Sequence, residues 1–191
     1  MTSMLDQTLA AIDAVNAADP RLDEGQPEAL LYGQRMSAEC ERLFPDAPDL
    51  LRIAARGQHI ERWTLQRADY PEGRTGYLTW RRDLADHHAT RIAQIMRETG
   101  YGEAEIEQAG RMLRKQGLKR DSDVQALEDV ICFTFLKWYF APFAAKHSAE
   151  KIQRIVEKTA QKMSDAGRAR VLREFDLPAP LAAAFKGPTG A

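Results

Sequence analysis

Apolar residues recur along this chain every three to four positions, the period of a helix that buries one face. Leu5, Leu9, Ile12 and Val15 set the first stripe, and Asp19-Pro20 ends it, because a proline disfavours helical backbone in the residue before it. A second stripe predicts a helix over 28–44. Pro45-Asp46-Ala47-Pro48 separates it from a third over 49–63. Pro71, Gly73 and Gly76 make 64–77 the main irregular segment, rich in arginine and aromatics. A fourth helix is expected over 78–99 with Gly100 as its C-terminal cap, and a fifth over 103–116 before Gly117. Asp121-Ser122-Asp123 suits the start of a sixth, expected to run to about Pro142, and Ser148 the start of a seventh, to about Lys162. Short helical pieces are expected near 168–174 and 181–185, then a frayed tail over 187–191. Runs of Val, Ile and Thr are short and no repeat is visible. The reading is all-α: a single domain over 1–186, one bundle of about seven helices.

Composition narrows the class of partner. The chain has 191 residues, with 27 Lys+Arg against 28 Asp+Glu, so its formal net charge is −1. An extended nucleic-acid footprint needs a basic excess, and this balance argues against one while leaving room for a local basic patch. No stretch approaches the roughly 20 apolar residues of a membrane span. The first residues carry Asp6 and Asp13 without a basic leader, so no signal peptide is read and the expected compartment is cytoplasmic. Cys40 and Cys132 lie far apart in apolar helical patterns and are expected as buried free thiols.

Several residues do not look like packing. The sixth helix is apolar on nearly all sides, which predicts a central position, yet Glu128 and Asp129 interrupt it. A buried carboxylate is costly without a partner, so an arginine, a histidine or a metal is expected beside it. On the fourth helix Leu78, Ala85, Ala89, Ile92 and Met96 share a face; His88 and Arg81 fall at its edge and His87 points away. His59 sits near the end of the third helix, at the mouth of the irregular segment. Arg56, Arg62, Arg67, Arg74, Arg81 and Arg82 surround that segment, with no lysine between Arg52 and Arg82. Guanidinium suits bidentate contact to phosphate or carboxylate. Trp63, Tyr70, Tyr77 and Trp80 interleave with the arginines and suit a flat ring by stacking. Rim salt bridges and helix-junction packing are the alternative.

These residues resemble the HD superfamily of all-helical metal-dependent phosphohydrolases, whose pattern is a His on one helix, a His-Asp pair, and an Asp on a later central helix. Leu51-Arg-Ile-Ala-Ala-Arg-Gly-Gln-His59 is similar to the helix ending in the pair, His88-Ala89 to an intermediate motif, and Asp123-Val-Gln-Ala-Leu-Glu-Asp129 to the segment with the final Asp. The resemblance covers about 30–143 as an HD-like core, with C-terminal helices over 148–186. It implies His59, His88 and Asp129 as ligands of a divalent ion (Mn, Fe, Zn, Co or Mg), and Glu128 and Asp129 as catalytic groups. Ile60 stands where the pair's Asp should be. The second helix has no His; Tyr32 is nearest the expected place, with Glu39 further along, and Lys115 falls near a second intermediate His. At closer range, Gln58-His-Ile-Glu-Arg-Trp63, Arg67, Tyr70-Pro71, Gly76-Tyr-Leu-Thr-Trp80-Arg81, His88-Ala89, Leu127-Glu-Asp129 and Lys162-Met-Ser164 resemble the family known as domain of unknown function 4202. That resemblance spans nearly the whole chain and implies a helical architecture without an activity.

Three functions are open at this point. One is a divergent metal-dependent phosphohydrolase acting on a small phosphorylated or nucleotide-like substrate, with Arg62, Arg67, Arg81 and Lys115 neutralising phosphate and Trp63 or Tyr77 stacking on a base. The second keeps the fold and binds a nucleotide or phosphorylated metabolite without turnover. The third is a structural or interaction protein. Oligomeric state is left open by the sequence.

Overall fold

Ser3 accepts the backbone N–H of Asp6 while the Asp6 carboxylate accepts from Ser3 in return. This capping box starts α1 (Met4–Asn16) in the computed structural model, which describes residues 2–187. The chain divides into two compact units, Met1–Gly117 and Leu118–Ala191.

In the first unit α1 is followed by a two-residue hairpin, β1 (Leu22–Asp23) antiparallel to β2 (Gln26–Pro27). Glu24 and Gly25 turn it with positive φ. Then come α2 (Glu28–Leu43), α3 (Asp49–Arg56), short 3-10 turns at Arg62–Thr64 and Arg67–Asp69, α4 (Gly73–Thr99) and α5 (Glu103–Leu113). α4 packs along α5, α3 lies against α2 and α5, and α1 against α2, α3 and α4. Ile12, Met36, Ile53, Ile60, Ile92, Met96 and Met112 are among the fully buried side chains. Each such burial stabilises by about 1.5–3 kcal/mol before entropy is counted. A Cβ at Gly57 would lie 2.3 Å from Cδ1 of Ile92, so only glycine lets the chain leave α3 this close to α4.

The second unit opens on α6 (Ser122–Thr134), capped by the Asp121 side chain accepting from the N–H of Asp123 and Val124. A π-helical turn over Phe135–Tyr139 leads into α7 (Phe140–Ala144). α8 (Ala149–Lys162) and α9 (Asp165–Glu174) start on Ser148 and Ser164 caps, and α10 (Ala179–Ala183) closes the described residues. α8 packs against α6 and α10.

The all-helical expectation holds, and the caps at Gly100, Asp121 and Ser148 are where the sequence places them. The count differs: the described residues form ten α-helices, not about seven. The expected sixth helix is broken because Pro142 has no N–H and its ring crowds the carbonyl four residues back, so the chain widens into the π turn first. The expected third helix stops at Arg56, since Gly57 caps it and Glu61 adopts left-handed backbone (φ 51°). The irregular segment therefore begins earlier than 64 and ends before Gly73, where α4 starts. Gly76 permits that start, because a Cβ there would collide with the Pro71 carbonyl. Leu78, expected on the apolar face, is exposed in the early turns of α4; the buried stripe is Leu84, His88, Ala89, Ile92, Ile95 and Met96. Of the expected frayed tail 187–191, all but Gly187 lies outside the described residues. Both cysteines are buried and free. Among the described residues no helix is long and apolar enough to cross a membrane.

Candidate functional site

A cavity of about 450 Å³ opens within the first unit. Gln58 and His59 reach it from the turn after α3, and Arg62 from the following 3-10 turn. Arg81, Arg82, Leu84, Ala85, Asp86 and His88 come from α4, and Leu113, Arg114, Lys115 and Gln116 from the end of α5 and the residues after it. The i, i+4 and i+7 spacing of Arg81, Ala85 and His88 follows from one helix face. Of the sequence-derived candidates, the structure gathers His59, Arg62, Arg81, His88 and Lys115 on one wall.

The turn carrying Arg62 is fixed from several sides. Glu61 accepts from Nε of Arg91 at 3.1 Å, and Nε2 of His87 lies 3.1 Å from its other carboxylate oxygen. The Arg62 guanidinium lies 5.0 Å from the Trp80 ring centroid, and Trp80 Nε1 donates to the Leu65 carbonyl at 3.0 Å. Arg67 donates to the carbonyls of Tyr70 and Gly73, so it staples the irregular segment and does not line the cavity. Trp63 and Tyr77 are likewise absent from its lining; Tyr77 is exposed and its ring sits 5.9 Å from that of Trp80.

Charge inside the cavity is one-sided. Asp86 is its lone lining carboxylate and is paired with Arg114 at 2.7 Å; Arg82 pairs with Asp83 outside the wall. Arg62 and Arg81 have no carboxylate within ion-pair distance among the described residues. Burial, and then the neighbouring Arg81 charge, push the Arg62 pKa down. Both histidines are neutral. Burial, then the charge of Arg62, with smaller contributions from His88, Arg81 and Lys115, holds His59 well below the ordinary range, and burial followed by Arg62 lowers His88 to about 3. Tyr32 covers one face of His59 with ring centroids 3.6 Å apart and planes 10° from parallel. Nε2 of His88 and Oε1 of Gln58 are buried without a hydrogen-bond partner. Lys115 takes left-handed backbone, φ 57°, to place its side chain here.

Glu128 and Asp129 belong to α6 in the second unit and are buried. The Asp129 carboxylate accepts the N–H of Ser164 at 2.8 Å, the Ser164 hydroxyl, and Gln125 Nε2 at 3.2 Å. A Cβ at Gly167 would sit 3.0 Å from the same carboxylate. Asp129 thus ties α6 to the start of α9. Among the described residues no group of three or more His, Cys, Asp or Glu is placed to hold a metal ion. His59 and His88 belong to the first unit and Asp129 to the second.

Sequence reasoning named Arg82 in the arginine cluster and Gln58 only within a motif, and it missed Asp86, Arg114 and Gln116. Gln58 adjoins His59, and Arg114 and Gln116 flank Lys115, so adjacency was the available signal; Asp86, exposed at the rim, gave none.

An all-helical protein with a basic cavity walled by neutral histidines is the class that fold and site define. The family named "Domain of unknown function (DUF4202)" matches residues 6–184, and the chain belongs to that family. No curated protein and no solved structure matches it.

Proposed function

We propose that this protein binds a small phosphorylated molecule in the cavity of its first unit, without a metal and without turnover. One observation carries the reading: Arg62 and Arg81 line the cavity with no carboxylate to neutralise them among the described residues. Cations kept together in a half-buried wall repel each other, and an anion removes that cost. Guanidinium matches phosphate oxygens in pairs, and such charge-assisted bonds contribute about 1.5–3 kcal/mol each. Lys115 adds a further donor. The hydrolytic alternative implied by the HD resemblance needs a third metal donor beside His59 and His88, and the engaged Asp129 carboxylate counts against it.

Calorimetric titration with inorganic phosphate, in the presence of a chelator, tests the reading. Binding is expected, with Arg62→Ala and Arg81→Ala each weakening it at least tenfold, about 1.4 kcal/mol. Absence of phosphate binding overturns it. Stoichiometric divalent metal in the purified protein, with phosphatase activity that a chelator abolishes, would restore the hydrolytic reading.

A further inference from the structure

Beside Arg62 and Arg81, the lining of the same cavity carries a second chemistry. No Phe, Tyr or Trp lines this cavity, and Leu84, Ala85 and Leu113 are its only apolar lining residues. Small-molecule sites are ordinarily lined mostly by apolar and aromatic side chains, so a wall this polar selects a polar ligand. The aromatic residues nearby are engaged elsewhere: Trp80 lies under Arg62, and Tyr77 packs toward Trp80 at the surface. A nucleobase meets no Phe, Tyr or Trp platform in this lining, only the His59 and His88 imidazoles, and Tyr32 already covers one face of His59. What the lining offers is hydrogen-bonding capacity without a partner among the described residues, at Oε1 of Gln58 and Nε2 of His88. Gln58 is 8% exposed and His88 4% exposed. A buried polar atom left unpaired is destabilising, and a ligand hydroxyl removes that penalty. An amide oxygen accepts from a hydroxyl. A neutral imidazole nitrogen accepts or donates according to its tautomer, and burial with the Arg62 charge keeps His88 neutral.

Building on the phosphate-binding reading above, we propose that the ligand is a phosphate monoester of a non-aromatic, hydroxylated body, a sugar or polyol phosphate. Its phosphate lies against Arg62 and Arg81, and its hydroxyls meet Gln58 and His88. The cavity, at about 450 Å³, is within the range of roughly 300–1,000 Å³ that such ligands occupy.

Calorimetry on the full chain with inorganic phosphate, glycerol 3-phosphate, ribose 5-phosphate, glucose 6-phosphate and adenosine monophosphate tests this. At least one of the three hydroxylated monoesters is expected to bind tenfold or more tighter than inorganic phosphate, and tighter than adenosine monophosphate. Gln58→Leu, confirmed folded by its melting curve, is expected to lower the ratio of that monoester's affinity to phosphate affinity about tenfold. The inference fails if none of the three exceeds inorganic phosphate, if adenosine monophosphate binds tightest, or if Gln58→Leu leaves the ratio unchanged. Phosphate binding without any gain from the body sinks this inference alone, whereas no phosphate binding sinks the underlying reading too.

Discussion

The phenol ring of Tyr32 lies flat on the imidazole of His59, 3.6 Å between centroids. A ring that covers an imidazole face removes water from it, and burial is the largest cause of the depressed His59 pKa. Tyr32→Ala should therefore raise the His59 pKa toward its ordinary value, read from the imidazole proton shifts by NMR. Removing a core aromatic also costs about 3–5 kcal/mol. An unmoved His59 titration in a folded variant would show that the stack does not control it.

The neutral histidines couple stability to pH. The folded pKa of His88, about 3, lies below its unfolded value, near 6.5. Below pH 6.5 the unfolded chain takes up a proton that folded His88 refuses, so stability is full above that value and falls as pH drops toward 3. His59 acts in the same direction. Between pH 6.5 and 5.0 the loss from His88 alone approaches about 2 kcal/mol, at 1.36 kcal/mol per unit. Denaturant midpoints at pH 7.5 and 5.0 measure it, and His88→Gln should shrink the difference. Equal midpoints at the two pH values would contradict the burial of these groups.

Asp129 separates a structural from a catalytic reading. Its carboxylate accepts from both the backbone and the hydroxyl of Ser164. Asp129→Ala is expected to destabilise by about 2–4 kcal/mol, and Ser164→Ala by about 1–2, since hydrogen bonds to a charged group and an N-cap are lost. Phosphate affinity of the folded Asp129→Ala variant should match that of the unchanged protein. A large fall in affinity without a fall in stability would place Asp129 in the binding site instead.

Much of this architecture is legible in the sequence because it rests on local chemistry. The Asp121 cap, the Ser148 cap and the Gly100 terminus are each set by one or two residues, and the structure has them where expected. His88 was marked by the edge of a helical stripe, and it is buried. What was not legible depends on contacts distant along the chain. Arg67, alike in type to Arg62, donates to the carbonyls of its own segment, and nothing in the residue type distinguishes the two. Trp63 and Tyr77 have the composition of a stacking platform, but the early start of α4 puts Tyr77 on the surface. The partner of Asp129, 35 residues away, is a serine cap, a role no periodicity reveals.

Lys115 holds a conformation that glycine adopts freely, φ 57°, and a non-glycine residue there carries strain of about 1–2 kcal/mol. Lys115→Gly should raise the melting temperature while weakening phosphate binding several-fold, because the strain places a donor at the cavity. A lower melting temperature with unchanged affinity would assign the lysine to packing.

The uncharged state of His59 and His88 also determines what the cavity senses. A phosphate monoester gains its second negative charge with a pKa near 6. His88, at about 3, does not change charge as that proton is lost, and burial holds His59 well below its ordinary value. The pH profile of phosphate binding is therefore expected to follow the ionisation of the ligand and not that of His88. Affinity rises through pH 6 for a monoester and stays flat for a diester, which carries one charge throughout. A cavity that binds phosphate as proposed would thereby tell a chain-terminal phosphate from a bridging one by charge.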